Sequence, residues 1–209
     1  EMLDLTNVKA PIEAANGLPN GCYVDADLFQ HEQNTLFRDN WAAIGFGKDL
    51  PKPGCVKPIE FAGLPLLLVR NQDNEIKVFE NVCRHRGMIL VSEAQQLRGP
   101  ITCPYHAWAY DAEGALTAMY GEATFGDINR EDYALKPLPC AEAAGMVWVC
   151  LTPGFDFDID DWLGGMRAEL ETLKLDQWHI HEVRDLPGPG WKVVWDGYLE
   201  AYHHNTLHR

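Results

Sequence analysis

The sequence has 209 residues, of which 46% are hydrophobic and 23% are charged, a composition typical of a globular protein with one or two domains. Its formal net charge of −14 argues against nucleic acid as a partner, because phosphate binding requires clustered lysine and arginine. We expect no membrane partner either, since no apolar run reaches the roughly 18 residues of a membrane span.

The six cysteines are spread too widely to resemble a disulfide framework. Four of them lack any metal-ligand spacing and are predicted to be ordinary small apolar residues: Cys22, Cys55, Cys140 and Cys150. No secretory signal is visible at the start of the sequence. Together these features indicate a reducing, cytoplasmic setting.

The first part of the chain predicts one helix followed by a small antiparallel β domain. The helix is expected from Asp25 to Trp41, with Asp25 or Asp27 as its N-cap. Short apolar runs broken by turn residues then predict hairpins. The expected strands span residues 64–70, 76–80, 107–110, 115–119 and 146–151.

The last part of the chain reads differently, with an acidic and aromatic boundary at residues 154–161. A helix is predicted at 162–173 and a strand at 179–184. His179 and His181 alternate with apolar residues on that strand, so we interpret them as surface or structural histidines. A further helix is predicted from Trp191 onward.

Two short motifs each pair a cysteine with a histidine: Cys83-Arg84-His85 and Cys103-Pro104-Tyr105-His106. This set suits a 2Fe-2S cluster in which the cysteines hold one iron and the histidines hold the other. Tetrahedral zinc takes the same ligand types, although zinc fingers usually keep their cysteines together and their histidines together. The remaining alternative is coincidence, with buried thiols and unrelated histidines.

Three arginines lie close in sequence to these motifs: Arg84, Arg86 and Arg98. They could present a positive rim to an acidic electron donor. The alternative is that they pair with internal carboxylates or with the backbone.

A second candidate site follows on the last predicted helix. Spacings of four and three put Asp196, Glu200 and His203 on one side of that helix. His208 lies off this stripe, so the helix must end or distort for both imidazoles to reach one metal. Two histidines and a carboxylate suit a non-haem iron(II) oxygenase, whereas a histidine-rich surface helix is the plainer alternative. A di-iron carboxylate site needs a second Glu-x-x-His motif, which the sequence lacks.

The runs 83–87 and 103–108 resemble the Rieske domain of ring-hydroxylating oxygenase large subunits. Respiratory Rieske proteins carry a disulfide between the two loops, but Met88 and Tyr105 stand at those positions here. The resemblance therefore implies a potential toward the low end of the Rieske range.

The run from Trp191 through His203 to His208 resembles the mononuclear iron motif of the same family. The resemblance implies that His203 and His208 bind iron and that Asp196 lies near it. It also implies a ring of three subunits, in which Glu200 links His106 of one chain to His203 of the next. Glutamate at the linking position resembles the branch that oxidises choline, carnitine and related quaternary amines.

The resemblance thus implies an α+β, mainly antiparallel β fold: a Rieske domain followed by the start of a helix-grip catalytic domain. We expect an N-terminal helical segment at 1–40 that packs with the catalytic domain, the Rieske domain at 41–154, and the beginning of the catalytic domain at 155–209. The family's third iron ligand, a carboxylate far downstream, is missing. The sequence therefore resembles the front part of a longer enzyme and is expected to be inactive alone.

In such an oxygenase, a ferredoxin or an NAD(P)H-dependent flavin reductase supplies electrons for the O2-dependent hydroxylation of a small organic substrate, either an aromatic ring or a quaternary amine. Two other functions remain open. One is a stand-alone Rieske-type ferredoxin carrying an extension, and the other is a zinc-stabilised binding module.

Overall fold

The computed structural model describes residues 4–208. The chain divides into two compact units, which we call the helical unit (residues up to 32 together with those from 180 onward) and the β unit (residues 33–179). The predicted domain boundaries at 40 and 154 stay predictions. Among the helices at 4–208, none combines the length and apolar character needed to cross a bilayer.

In chain order the helices are α1 (Gly21–Val24), α2 (Ala26–Thr35), α3 (Ile159–Leu163), α4 (Gly165–Thr172), α5 (Trp191–Leu199) and α6 (His204–Leu207). The strands are β1 (Ala42–Phe46), β2 (Cys55–Phe61), β3 (Leu64–Arg70), β4 (Ile76–Glu80), β5 (Gln95–Gln96), β6 (Ile101–Thr102), β7 (Ala109–Tyr110), β8 (Leu116–Ala118), β9 (Pro137–Leu138), β10 (Cys140–Ala143) and β11 (Met146–Val149). Short 3-10 turns lie at 47–49, 122–124, 130–133 and 175–177.

The strands form three antiparallel sheets. A five-stranded sheet has the order β5-β2-β3-β4-β9, and two three-stranded sheets have the orders β1-β11-β10 and β6-β7-β8. The predicted hairpins at 64–80 and 107–119 are confirmed by the pairing of β3 with β4 and of β7 with β8. The expected mainly antiparallel β fold is confirmed as well.

The five-stranded sheet is the middle layer of the β unit because its central strand β3 is buried on both faces. Leu67 and Val69 contribute to one hydrophobic core, which also contains Cys83 and Cys103. Leu66 and Leu68 contribute to a second core with residues of β11. Side chains alternate between the faces of a strand, so β3 supplies both cores at once. The loops that carry Cys83 and Cys103 therefore pack on one face of this sheet, while the second hydrophobic core covers its other face.

Arg70 at the end of β3 is buried and ties this layer to its neighbours. Its guanidinium donates to the carbonyl oxygens of Leu50 and Gly47, both at 2.8 Å. It also binds the Glu142 carboxylate at 2.5 Å. A buried guanidinium needs such partners, since an unpaired charge in the interior is costly.

Three predicted elements differ from the structure. The first helix is capped by Asp25, which accepts from the N–H of Leu28 at 2.8 Å, but it ends at Thr35 rather than at Trp41. The next residues form a turn in which the Asn40 side chain binds the carbonyl of Leu36 at 3.0 Å. Asparagine and aspartate side chains compete with helical hydrogen bonds in this way.

The helix predicted at 162–173 is two helices. α3 begins earlier because Asp158 accepts from the N–H groups of Asp160 and Asp161, and Gly164 with φ 49° separates it from α4. The strand predicted at 179–184 is wrong: these residues are exposed and extended without a strand partner. Alternating apolar residues cannot form a strand without a neighbour to accept its hydrogen bonds.

Candidate metal centres

Both Cys-plus-His motifs lie at the tips of hairpins, as predicted. The first loop is closed by a bridge between Val82 and Ile89, and the second by the pairing of Thr102 with Ala109. These closures hold each loop on the same side of the β unit's cysteine-containing core.

The two loops repeat one backbone hydrogen-bond pattern. In the first loop, the Cys83 N–H donates to the Met88 carbonyl at 2.8 Å and the Gly87 N–H donates to the Cys83 carbonyl at 3.0 Å. In the second loop, Cys103 donates to Trp108 at 2.8 Å and Ala107 donates to Cys103 at 3.0 Å. Each cysteine therefore occupies the same position in a tight turn.

The equivalent positions Gly87 and Ala107 both adopt the left-handed conformation, with φ of 70° and 54°. Glycine takes this conformation freely, whereas alanine in it costs on the order of 1 kcal/mol. The second loop thus carries backbone strain beside its cysteine. Such strain is typical of functional loops whose surroundings fix their shape.

The four predicted side chains converge. Cys83 is 2% exposed and Cys103 is 3% exposed, and their thiols are close enough to interact. The ring centroids of His85 and His106 are 4.9 Å apart. Two thiols and two imidazoles are thereby grouped at one end of the β unit.

Burial favours the neutral forms of Cys83 and His85. Burial raises the pKa of the Cys83 thiol, and the Cys103 thiol adds to the rise. Burial also lowers the pKa of His85, which favours the neutral imidazole that metals bind. The Nδ1 atom of His85 is buried without a hydrogen-bond partner. A metal at Nδ1 would satisfy it, and metals bind cysteine as the thiolate.

Tyr110 is a further residue of this site that sequence reasoning missed. Its hydroxyl lies 3.4 Å from Cys83 Sγ and accepts from the Arg84 N–H at 3.0 Å. The hydroxyl proton is then available to the sulfur. The only sequence signal for this role is that Tyr110 lies in an apolar strand, two residues after Trp108.

The arginines beside the loops are exposed rather than internally paired. Arg86 and Arg98 are exposed and Arg84 is half-buried. Within residues 4–208, no carboxylate forms an ion pair with any of the three. One form of the second alternative, pairing with internal carboxylates, is therefore not seen among residues 4–208, and the choice between a positive rim and pairing with the backbone stays a prediction.

In the helical unit, the expected stripe of Asp196, Glu200 and His203 on one helix is wrong. α5 ends at Leu199, and Glu200 is extended with φ −110° and ψ 133°. The helix was expected to end or distort if both imidazoles were to reach one metal, and it ends before either histidine. The ring centroids of His203 and His208 are 5.3 Å apart.

Glu200 is held against His203. Its Oε1 lies 2.5 Å from His203 Nδ1, and its Oε2 accepts from the N–H groups of Tyr202 and His203 at 2.8 and 3.3 Å. The hydrogen bond to His203 lowers the pKa of Glu200. With Nδ1 donating to the carboxylate, the Nε2 lone pair of His203 is free for a metal.

His204 also joins this cluster, with its ring centroid 4.6 Å from that of His203 and 5.4 Å from that of His208. Sequence reasoning passed over His204 because its position beside a candidate ligand pointed away from the predicted stripe. In the described chain, no three His, Cys, Asp or Glu side chains are arranged to hold a single metal ion.

Asp196 is engaged by the N-terminal part of the helical unit. It accepts a hydrogen bond from the Tyr23 hydroxyl at 2.6 Å. Nearby in the same unit, Lys192 pairs with Glu32 at 2.5 Å. No sequence pattern indicates these contacts, which join residues far apart in the chain.

Known proteins resemble this chain in sequence. The sequence profile of the Rieske [2Fe-2S] domain family matches residues 40–128. The chain is 30% identical over 198 residues to the carnitine monooxygenase oxygenase subunit of Escherichia coli (strain K12), covering 91% of this chain and 52% of that protein. It is 28% identical to the glycine betaine monooxygenase oxygenase subunit of Pseudomonas aeruginosa (strain UCBPP-PA14), covering 91% and 44%. The chain thus spans about half the length of the curated relatives it matches.

Solved structures agree in fold. The quaternary ammonium Rieske monooxygenase CntA in complex with L-carnitine superposes with a TM-score of 0.85 at 28% identity, covering 93% of this chain and 56% of that one. A naphthalene 1,2-dioxygenase with indole bound in its active site superposes with a TM-score of 0.74 at 29% identity, covering 88% and 43%. Residues 40–128 thus match the Rieske [2Fe-2S] domain family, and the chain is similar over most of its length to Rieske oxygenase subunits, which use a mononuclear non-haem iron besides the cluster.

Proposed function

We propose that Cys83 and Cys103 hold one iron of a Rieske 2Fe-2S cluster and that His85 and His106 hold the other. The observation that carries this proposal is the repeated backbone of the two loops, which brings two buried thiols and two imidazoles together. When bound, the cluster supplies one-electron transfer and the non-haem iron supplies oxygen activation. The whole protein would use them to hydroxylate an organic substrate.

We further propose that His203 and His208 bind the non-haem iron and that Glu200 orients His203. The Glu200 carboxylate fixes the tautomer and direction of that imidazole, a common role of carboxylates around metal-bound histidine. In a ring of three subunits, the same carboxylate would face His106 of the neighbouring chain. Asp196, held by Tyr23, would lie near the iron without binding it.

For the substrate, we propose a quaternary ammonium compound rather than an aromatic ring. Glutamate at position 200, where aspartate is usual in the family, supports this choice. So do the relatives named for carnitine and glycine betaine. The test is turnover by the enzyme that contains this chain, measured as substrate-dependent oxygen uptake with carnitine, glycine betaine and naphthalene. Faster uptake with naphthalene would overturn this substrate class.

The electron donor is proposed to dock at the arginines beside the loops. Arg86 and Arg98 are exposed cations without carboxylate partners in the described chain, so they can attract an acidic ferredoxin or reductase. Arg86→Glu should slow reduction by such a donor and weaken its salt dependence. Lys174→Glu makes the same charge change at another exposed position and should leave the rate unchanged. Equal slowing by both variants would contradict this docking site.

The experiment for the function is metal analysis of anaerobically prepared chain. A cluster requires iron and acid-labile sulfide in equal amounts, with a visible absorption band that dithionite bleaches. Because the His203–His208 site should bind iron weakly, the count is repeated with excess Fe²⁺: a chain that stays at two irons favours the stand-alone electron carrier, and uptake of a third favours the oxygenase. A colourless protein containing zinc would support the binding module and overturn the proposal.

A further inference from the structure

One imidazole of the proposed cluster site is enclosed by aromatic rings that lie outside the cysteine–histidine motifs. His85 stacks on Trp108, with ring centroids 4.8 Å apart and an interplanar angle of 8°. The edge of His85 meets Phe125 at 5.8 Å and 82°. Phe125 also contacts Trp108 at 5.6 Å, so the three rings form one cluster.

Phe125 reaches His85 because residues 121–126, which we call the cover segment, bend back over the loop. The segment starts and ends with left-handed glycines, Gly121 at φ 71° and Gly126 at φ 72°. Its turn is closed by the Thr124 N–H donating to the Gly121 carbonyl at 2.8 Å. An L-residue at either glycine would strain this bend.

Arg130 fastens the cover segment to the hairpin of the second loop. Its guanidinium donates to the Thr117 carbonyl on β8 at 2.7 Å and binds the Glu122 carboxylate at 2.5 Å. Both charged side chains are largely exposed, so this pair is worth little energy by itself. The Arg130–Glu122 pair instead fixes the orientation of the cover segment.

We propose that Phe125 is a positioning residue that keeps water away from His85 and thereby lowers the reduction potential of the centre. The inference rests on the proposed cluster. Two ferric ions, two sulfides, two thiolates and two neutral imidazoles sum to zero charge, and one added electron gives a charge of −1. An apolar ring stabilises that anion less than water does, so the cover disfavours the reduced form.

The test compares Phe125→Ala with the wild-type chain after cluster loading. The variant should raise the potential, shifting the one-electron equilibrium by about three- to tenfold, where tenfold is about 59 mV. Phe125→Leu should recover most of the shift. Phe125→Asn places a polar side chain beside His85, so it should raise the potential in the same direction and carries the test if the alanine variant does not fold. Tyr120→Ala is the matched control, because Tyr120 is an aromatic residue beside the segment that is 80% exposed. It should leave the potential unchanged.

A second readout needs no cluster. Deuterium exchange at the His85 ring carbon, followed by mass spectrometry of the cluster-free chain, should be slower than at exposed His181. Phe125→Ala should accelerate it. An unchanged potential in a cluster-loaded Phe125→Ala variant, or equal shifts with Tyr120→Ala, would overturn the inference. Failure of the wild-type chain to take up a cluster would instead overturn the proposed function.

Discussion

Cys83 and Cys103 are 2% and 3% exposed, whereas the side chains of His203 and Glu200 are 26% and 51% exposed. In the β unit, two hairpin tips with matching hydrogen bonds fix where the candidate ligands point. In the helical unit, α5 ends before the candidate ligands, and His203 is oriented by a hydrogen bond to Glu200 and by the rings of His204 and His208. The contrast teaches that one set of candidate ligands is fixed by a packed scaffold, whereas the other is fixed by a few contacts near the surface.

The largest effect is expected from a substitution that removes a ligand of the proposed cluster in the β unit. Cys83→Ala should abolish cluster binding, because an iron with one cysteine left has lost half of its protein ligands. Iron and acid-labile sulfide should fall to background, and the visible band should disappear. Cys140→Ala, which removes a free cysteine whose thiol donates to the Ile76 carbonyl at 3.4 Å, should keep both. Retention of acid-labile sulfide by Cys83→Ala would contradict the claim that the β unit holds the cluster through this cysteine.

The scaffold itself is tested at Arg70. Arg70→Met keeps much of the side-chain volume but leaves the carbonyls of Leu50 and Gly47 without their donor. Each of the two unpaired buried groups costs about 1–3 kcal/mol, so the free energy of unfolding should fall by about 2–6 kcal/mol. Denaturant titration followed by tryptophan fluorescence measures it.

Lys77→Met is the control for Arg70, because the Lys77–Glu75 pair lies at the surface with side chains 34% and 62% exposed. Its loss should cost only about 0–1 kcal/mol. Similar losses for the two variants would mean that Arg70 does not tie the layers together.

The partial site should bind metal weakly. With two imidazoles and no fixed carboxylate, His203→Ala should weaken binding of added Co²⁺ about tenfold, equivalent to about 1.4 kcal/mol. Anaerobic calorimetric titration of the cluster-loaded chain measures the affinity. His181→Ala removes an exposed histidine elsewhere in the helical unit and should change nothing. Equal affinity in His203→Ala and the wild type would remove this histidine from the site.

The smallest expected effect concerns tuning of the scaffolded site. Tyr110→Phe removes the hydroxyl that lies 3.4 Å from Cys83 Sγ. A hydrogen bond to sulfur stabilises the more negative reduced form, so its loss should lower the potential. The loss of a hydrogen bond worth about 1 kcal/mol corresponds to a shift in reduction potential slightly smaller than the about 59 mV of a tenfold change in the equilibrium. Tyr133→Phe, in a ring that packs on Trp108 at 5.4 Å, is the control. A rise in potential for Tyr110→Phe would contradict this assignment.

The β unit could be predicted from sequence because its hairpins are local. Residues 64–80 carry an apolar run, a turn and a return strand within one short stretch, and the structure confirms the hairpin. The candidate ligands of the loops were also readable, because spacing alone groups Cys83 with His85 and Cys103 with His106.

The rest depends on contacts between distant residues. Tyr110 meets Cys83, Phe125 meets His85 and Tyr23 meets Asp196 only after folding. The strand expected at 179–184 failed for the same reason, since alternation is present but a pairing partner is not. The end of α5 before Glu200 likewise cannot be read from a spacing of four.

The most direct test of the central claim is pulsed EPR of the dithionite-reduced chain, prepared anaerobically with its histidines labelled with ¹⁵N. Ligation by Cys83, His85, Cys103 and His106 predicts two strongly coupled imidazole nitrogens, and one of these couplings should vanish in His85→Cys. A reduced centre without any nitrogen coupling, or a chain that gives no EPR signal, would contradict the claim.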